Sequence, residues 1–296
     1  MPRPEAGSLH RRTRDALGCL GVEPRRSLGQ NFLVASAVVE RIVAAAGAAG
    51  RIVVEIGPGI GALSDSLATL ARELFLVEID PRMARRLSDR FASTPSVHVV
   101  AADALAVDYA ELLAGRPRAV AVGNLPYSVG SQILLRLIEA RASFERLVLM
   151  LQREVAERLI AKPGTKAYGL LTLWTALHGE AEIVLRVSPG SFVPRPRVES
   201  AVVSIRLNTE PRVLIHDEER FRVLVRAAFG KRRKTLRAAL AGLARAVDIE
   251  RAGIEPGRRG ETLSLAEFAN LANSLGDPSR QRQERSPDTR CPSCPK

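Results

Sequence analysis

The chain is poor in cysteine, in histidine and in long apolar runs. Its 296 residues include three cysteines and four histidines, and no apolar run approaches the ~18 residues a membrane-spanning helix needs. Cys19, Cys291 and Cys294 are too few and too scattered for a disulfide framework, so a reducing compartment is expected. Cys291-Pro-Ser-Cys294 is a lone CxxC in a polar tail, and His10, His98, His178 and His216 lie far apart, so no metal site is expected. The opening Met1-Pro-Arg-Pro4 lacks the apolar core of a signal peptide. These absences together imply a soluble, cytoplasmic protein with no membrane partner. Lysine is scarce as well. The 44 Lys+Arg that outweigh 32 Asp+Glu to give a formal charge of +12 are mostly arginine. An arginine excess suits bidentate phosphate contacts and points to a polyanionic partner, with arginine-favouring codons as the competing explanation.

The chain is long enough for one large domain and a small second one. Residues 1–26 are basic and broken by Pro2, Pro4, Gly18, Gly21 and Pro24, which reads as a loose arm with one helix around 13–19. A helix follows over 35–46, and then the pattern becomes regular. Strands are expected at 52–56, 74–79, 97–101, 119–122 and 147–151, alternating with helices at 62–71, 81–91, 132–139 and 152–160. That alternation implies a parallel sheet covered on both faces. A helix over 168–178 leads to strands at 181–187 and 201–207, an antiparallel pair closing the sheet. Past 207 the spacing is helical at 216–228, 231–243 and 265–275. The expected domains are therefore an arm (1–26), an α/β domain (27–208), a helical domain (209–275) and a disordered polar tail (276–296).

Two places in the alternating region carry chemistry. Gly123-Asn124-Leu125-Pro126-Tyr127 ends a buried strand, which sets a carboxamide, a free carbonyl and an aromatic ring at the carboxyl edge of the sheet. The exocyclic amine of adenine is a poor nucleophile because its lone pair is delocalised into the ring. The Asn124 oxygen and the Leu125 carbonyl could accept both of its N–H bonds and localise that pair, while Pro126 fixes the turn and Tyr127 stacks on the base. The plainer alternative is strand punctuation with a packed tyrosine. The second place is Glu55-Ile56-Gly57-Pro58-Gly59-Ile60-Gly61, a strand-to-helix turn whose GxGxG spacing is not the GxGxxG of dinucleotide binders. Glu78, 21 residues after Gly57 at the end of the next strand, suits a pair of ribose hydroxyls, and Asp103, closing the third, suits an adenine amino group. Each acid taken alone reads as a helix cap or a solvated strand end. In this order they favour S-adenosylmethionine as the ligand.

The ordered motifs resemble those of the ribosomal RNA adenine N6,N6-dimethyltransferases. They are Leu28-Gly-Gln-Asn-Phe-Leu33, Val54-Glu-Ile-Gly-Pro-Gly59, Val77-Glu-Ile-Asp80, Ala102-Asp-Ala104, Gly123-Asn-Leu-Pro-Tyr127 and Leu151-Gln-Arg-Glu-Val155. Ala167-Tyr-Gly169, the stretch from Ser191 to Val203, and Ala228-Phe-Gly-Lys-Arg-Arg-Lys-Thr235 continue the series. The resemblance runs from about residue 25 to 275 and implies a class I methyltransferase fold with a seven-stranded sheet and a helical cap. It implies further that Asn31, Leu33, Gly57, Gly59, Glu78, Asp103 and Asn124 line an S-adenosylmethionine site, and that Tyr127 and Phe192 sandwich the target adenine. A packed loop aromatic is the alternative for Phe192. The substrate it implies is two adjacent adenines near the 3′ end of small-subunit rRNA, methylated on an immature subunit by a monomer. Large-subunit rRNA methylation of the antibiotic-resistance type, or a non-catalytic assembly factor, are the rival readings.

From Arg222 to Arg245 the sequence holds eight cations and no carboxylate. On a continuous helix Arg222, Arg226, Arg233 and Arg237 would share a face, and with Lys231, Arg232 and Lys234 they are expected to hold RNA phosphate. A solvated charged face is the alternative.

Overall fold

A computed structural model describes residues 9–19 and 31–275. The expected arm before Leu9 and over 20–26, Leu28, Gly29 and Gln30 of the first motif, and the tail with Cys291 and Cys294 lie outside the described residues. In chain order the elements are α1 (Leu9–Cys19), β1 (Phe32–Leu33), α2 (Ser36–Ala46), β2 (Ile52–Ile56), α3 (Ser64–Leu70), β3 (Glu73–Glu78), α4 (Pro81–Arg90), β4 (Val97–Ala101) and α5 (Tyr109–Leu112). They continue with β5 (Ala119–Asn124), α6 (Gly130–Glu139), β6 (Phe144–Gln152), α7 (Arg153–Leu159), α8 (Leu170–His178), β7 (Gly179–Val187), β8 (Phe192–Val193) and β9 (Ser200–Leu207). Four helices follow: α9 (Glu218–Gly230), α10 (Leu236–Ala239), α11 (Ala246–Arg251) and α12 (Leu265–Leu275).

The main sheet has seven strands in the order β4-β3-β2-β5-β6-β9-β7. Its first five strands run parallel, and β9 runs antiparallel to both of its neighbours, the class I methyltransferase arrangement. Every residue of β2 is buried, as is β5 up to Gly123, which is why these strands read as unbroken apolar runs rather than alternating ones. Val53, Val120, Val122, Val148 and Val202 pack beneath α2 and α3, whose contributions include Val39, Ile42 and Leu67. The closing antiparallel pair was expected. Its placement was not: the last strand inserts between β6 and β7 and leaves β7 at the edge.

Local chemistry sets the element ends. Asp80 accepts a hydrogen bond from the Arg82 amide at 2.9 Å with Pro81 at the first helical position, so α4 starts where its orphan amides are capped. Strand β1 pairs with β8 in a two-residue ladder, Phe32 with Val193 and Leu33 with Phe192, that sequence periodicity does not show. The helix expected near 13–19 begins at Leu9, and it is packed rather than loose. Ala16 and Leu17 are buried against Phe32, Ile60 and Met83, and Arg12 pairs with Asp65 at 2.6 Å.

Contacts divide the chain into two compact units, residues 1–162 with 171–212, and 163–170 with 213 onward. The second gathers Phe221, Phe229 and Phe268 into a ring cluster joined by Tyr168, whose hydroxyl donates to the Leu263 carbonyl at 2.8 Å. Ser264 and Glu267 cap α12 reciprocally: the Ser264 amide donates to the Glu267 carboxylate and the Glu267 amide to the Ser264 hydroxyl. One expected helix is corrected here. Residues 231–243 do not form a single helix; Lys231–Lys234 is a turn and α10 covers only Leu236–Ala239. The amides of Leu236 and Arg237 bond the carbonyls of Arg258 and Pro256, so a distant segment takes the backbone groups that a continuous helix would have used.

Candidate active site

Strands β3 and β4 lie on one side of β2 and strands β5 and β6 on the other, so the strand order reverses between the carboxyl ends of β2 and β5. Open α/β sheets bind ligands at such a reversal. The two strand ends approach closely: Ile56 pairs with Gly123, and a Cβ on Gly123 would lie 2.7 Å from the Ile56 carbonyl oxygen, so the side chain must be absent. Beyond β2 the loop turns through Gly57 (φ 65°) and Gly59 (φ 58°), a left-handed backbone that other residues adopt at a cost. The loop is then tied to the neighbouring strand. The Gly59 amide donates to Glu78 Oε2 at 2.8 Å, and the Asp80 amide to Glu78 Oε1 at 2.9 Å.

A cavity of about 210 Å³ opens at this edge. Its walls bring together Asn31, Leu33, Gly57, Gly59, Glu78, Asp103, Asn124, Leu125, Pro126 and Tyr127. Those residues come from five separate stretches of sequence. Asp103 sits exposed at the rim with one oxygen accepting from the Leu105 amide at 2.9 Å. Burial pushes the Glu78 carboxyl above its ordinary range, opposed by the Asp80 and Gly59 amides. A carboxylate offers about four acceptor positions, so two backbone amides leave Glu78 capacity for ribose hydroxyls.

Asn124 is oriented by its neighbour. Its Nδ2 donates to the Asn31 carbonyl at 2.8 Å, which leaves Oδ1 as the acceptor with no donor among the described residues. The Leu125 amide is held by the Met150 carbonyl at 3.1 Å, whereas the Leu125 carbonyl accepts no hydrogen bond among the described residues. The Pro126 carbonyl is used, taking the amides of Val129 and Gly130 as α6 begins. Tyr127 is half-buried, and its hydroxyl shares a 2.5 Å hydrogen bond with Ser200 Oγ, which pins the ring.

Phe192 stands apart from this group. It is 3% exposed, pairs with Leu33 across the β1–β8 ladder, lies in the same core cluster as Val187 and Val202, and is not part of the cavity wall. Sequence reasoning also passed over Glu55 as a site residue. It lines the cavity fully buried, accepts a hydrogen bond from Ser64 Oγ at 2.7 Å, and burial pushes its carboxyl up to about 8. Its place immediately before the glycine turn was the available signal. Ile79, 64% exposed, adds an apolar edge to the opening.

In the helical unit the seven cations separate into different situations. Arg226, Lys231, Arg233, Lys234 and Arg237 are exposed, while Arg222 is half-buried and near Glu219 at 3.7 Å. Arg232 is engaged: it pairs with Glu261 at 3.1 Å, donates to the carbonyls of Lys166 and Thr165, and lies over the Phe229 ring. Because the helix stops at Gly230, the expected four-residue stripe does not run along one continuous helix. Among the described residues no helix is long and apolar enough to cross a membrane, and no three His, Cys, Asp or Glu side chains gather in a group suited to a metal ion.

Comparison with known proteins places these features in context. The family model described as "Ribosomal RNA adenine dimethylase" matches residues 21–277. A ribosomal RNA small subunit methyltransferase A from Geobacter sulfurreducens is 45% identical over 265 residues, covering 86% of this chain and 96% of that protein. Its counterpart from Geobacillus thermodenitrificans is 42% identical over 278 residues, with coverages of 89% and 95%. Among solved structures, a dimethyladenosine transferase from Plasmodium falciparum superposes with a TM-score of 0.70 at 25% identity, covering 83% of this chain and 98% of that one. The 23S rRNA methyltransferase ErmE gives 0.62 at 28% identity, with coverages of 83% and 100%.

Proposed function

The chain belongs to the ribosomal RNA adenine dimethylase family, and on that premise we propose how its residues divide the work. The protein is an S-adenosylmethionine-dependent methyltransferase that dimethylates adenine in small-subunit rRNA. The observation that carries the residue assignment is the orientation of Asn124: the Asn31 carbonyl occupies its Nδ2 and leaves Oδ1 as the acceptor on the cavity wall.

The residues present fit the cofactor. Gly57 and Gly59 let the backbone approach it, Glu78 and Asp103 offer acceptors for ribose hydroxyls and an adenine amine, and Leu33 supplies apolar wall. Bound there, S-adenosylmethionine supplies an electrophilic methyl group. Asn124 Oδ1 and the Leu125 carbonyl accept the two N–H bonds of the target adenine, localise its lone pair and aim it into the cavity. Tyr127, held by Ser200, provides the stacking face. The alkylated amine is acidic and loses its proton to solvent, so no side-chain base is required. Asn124 is neutral and imposes no buried charge when one N–H has become N–CH3, and a second transfer is tolerated. Catalysis is positioning and dipole preorganisation.

Arg226, Lys231, Arg233, Lys234 and Arg237 are assigned to RNA phosphate; Arg232, fixed to Glu261, is assigned to holding the turn that presents them. Two adjacent adenines near the rRNA 3′ end, an immature small subunit as the form recognised, a monomeric enzyme and a cytoplasmic location complete the proposal. Incubation with labelled donor and separated ribosomal subunits, followed by nucleoside mass spectrometry, tests it. N6,N6-dimethyladenosine on the small subunit is expected. Label confined to the large subunit would move the assignment to the resistance methylases, and none on either would favour a non-catalytic assembly factor.

A further inference from the structure

We propose that a cleft between α1 and α4, behind the cofactor loop, binds one phosphate group of the substrate RNA backbone. The identity of that substrate rests on the function proposed above; the anion chemistry does not. The cleft is lined by Arg12, Thr13, Arg86 and Arg90 together with Gly61 of the loop. Three guanidinium groups meet there, and among the described residues the carboxylate of Asp65 serves two of them, taking Arg12 at 2.6 Å and Arg90 at 2.7 Å. Arg86 has no carboxylate partner among the described residues, and its Nε is buried without a hydrogen bond. Thr13 is 0% exposed, and its hydroxyl has no partner among the described residues. A threonine within a helix ordinarily bonds back to the preceding turn; a buried hydroxyl that does not do so carries a desolvation cost that an acceptor would relieve.

Two donors unused in one small space, with a surplus of positive charge around them, describe a site for an anionic oxygen. The free volume is about 10 Å³, room for one oxygen-sized atom rather than a whole small ligand. A phosphodiester oxygen reaching in from outside fits that size. Arg11 and Arg14 on α1 and Arg85 on α4 are exposed on the same two helices and extend the positive surface, against Asp15 and Asp89. Ile60 and Ala62 form wall of both this cleft and the methyl-transfer cavity, so a phosphate held here would lie close to the reaction without entering it.

The experiment compares wild type, Arg86→Gln and Thr13→Val in the full chain. Thr13→Val keeps the shape of the side chain and loses only the hydroxyl, so its Tm in chloride should match or exceed that of wild type. Replacing chloride by inorganic phosphate at constant ionic strength should raise the wild-type Tm, and the rise should shrink by at least half in each variant. Binding of small-subunit rRNA should lose about one unit of log-log salt slope in Arg86→Gln. Equal phosphate shifts in all three proteins with equal salt slopes would overturn the proposal and leave the cleft to water. A lost phosphate shift with an unchanged RNA slope would overturn the RNA assignment and make free phosphate the ligand. Methyl transfer by wild type is measured on the same preparations: its absence, with the phosphate shift intact, would count against the enzymatic reading and not against the anion site.

Discussion

Glu55→Gln should abolish a pH dependence of stability that the wild-type fold carries. In the folded protein Glu55 is fully buried, and burial, with smaller contributions from Asp65 and Glu78, raises its carboxyl from 4.5 to about 8; the Ser64 hydrogen bond acts in the other direction. An unfolded chain ionises the same group near its ordinary value. Between these limits the folded state holds a proton that the unfolded state has released, so stability falls as pH rises, at about 1.4 kcal/mol per pH unit. The loss reaches about 3 kcal/mol at pH 7 and levels off near ~5 kcal/mol above pH 8 as an upper bound. Glutamine has the same shape, can still accept from Ser64 Oγ, and does not titrate. The variant should therefore equal wild type in urea unfolding near pH 4.5 and exceed it by several kcal/mol at pH 8.5. Glu78 is shifted in the same direction by burial, but it is present in both proteins and cancels in the comparison. Parallel stability profiles for the two proteins between pH 5 and 8.5 would refute the reasoning, because they would mean that Glu55 stays ionised in the folded cavity.

Asn124→Ala should lower single-turnover methyl transfer on the order of 10² or more while calorimetry shows cofactor binding largely retained; near-normal turnover would remove Asn124 from the proposed role. Gly123→Ala should cost about 1–3 kcal/mol, because its Cβ would meet the Ile56 carbonyl at 2.7 Å and must push β2 and β5 apart; an unchanged denaturation midpoint would contradict that close approach. Arg232 and Arg233, adjacent and identical in type, should behave differently. Arg232→Ala loses the Glu261 pair and two carbonyl partners and should lower stability on the order of 2 kcal/mol, whereas Arg233→Ala should leave the Tm unchanged and reduce the salt slope of RNA binding by about one unit. Indistinguishable effects on both readouts would mean that the two cations do not differ in role.

The contrast between those two arginines shows what sequence could and could not disclose. Features set by neighbours in the chain were legible: the buried runs of β2 and β5, the proline and aspartate that start α4, and the glycines that turn the cofactor loop all depend on a few consecutive residues. Most of the cavity wall followed, because a fold that places strand ends at one edge turns motifs from five stretches into one surface. What depended on a distant partner was not legible. Residues 231–243 have helical spacing, yet the amides of Leu236 and Arg237 are claimed by the carbonyls of Arg258 and Pro256, and the helix is cut to α10. Arg232 belongs to a run of like charge in the sequence and to Glu261 in space. The family resemblance implies that Phe192 meets a base, but a two-residue ladder with Leu33, far away in the chain, seats it in the core. Stacking that ring on an adenine would require it to leave the core cluster it shares with Val187 and Val202, beside Leu33, its ladder partner on the cavity wall. Tyr127, already on the cavity wall, needs no such rearrangement and keeps its proposed place as the ring that stacks on the base.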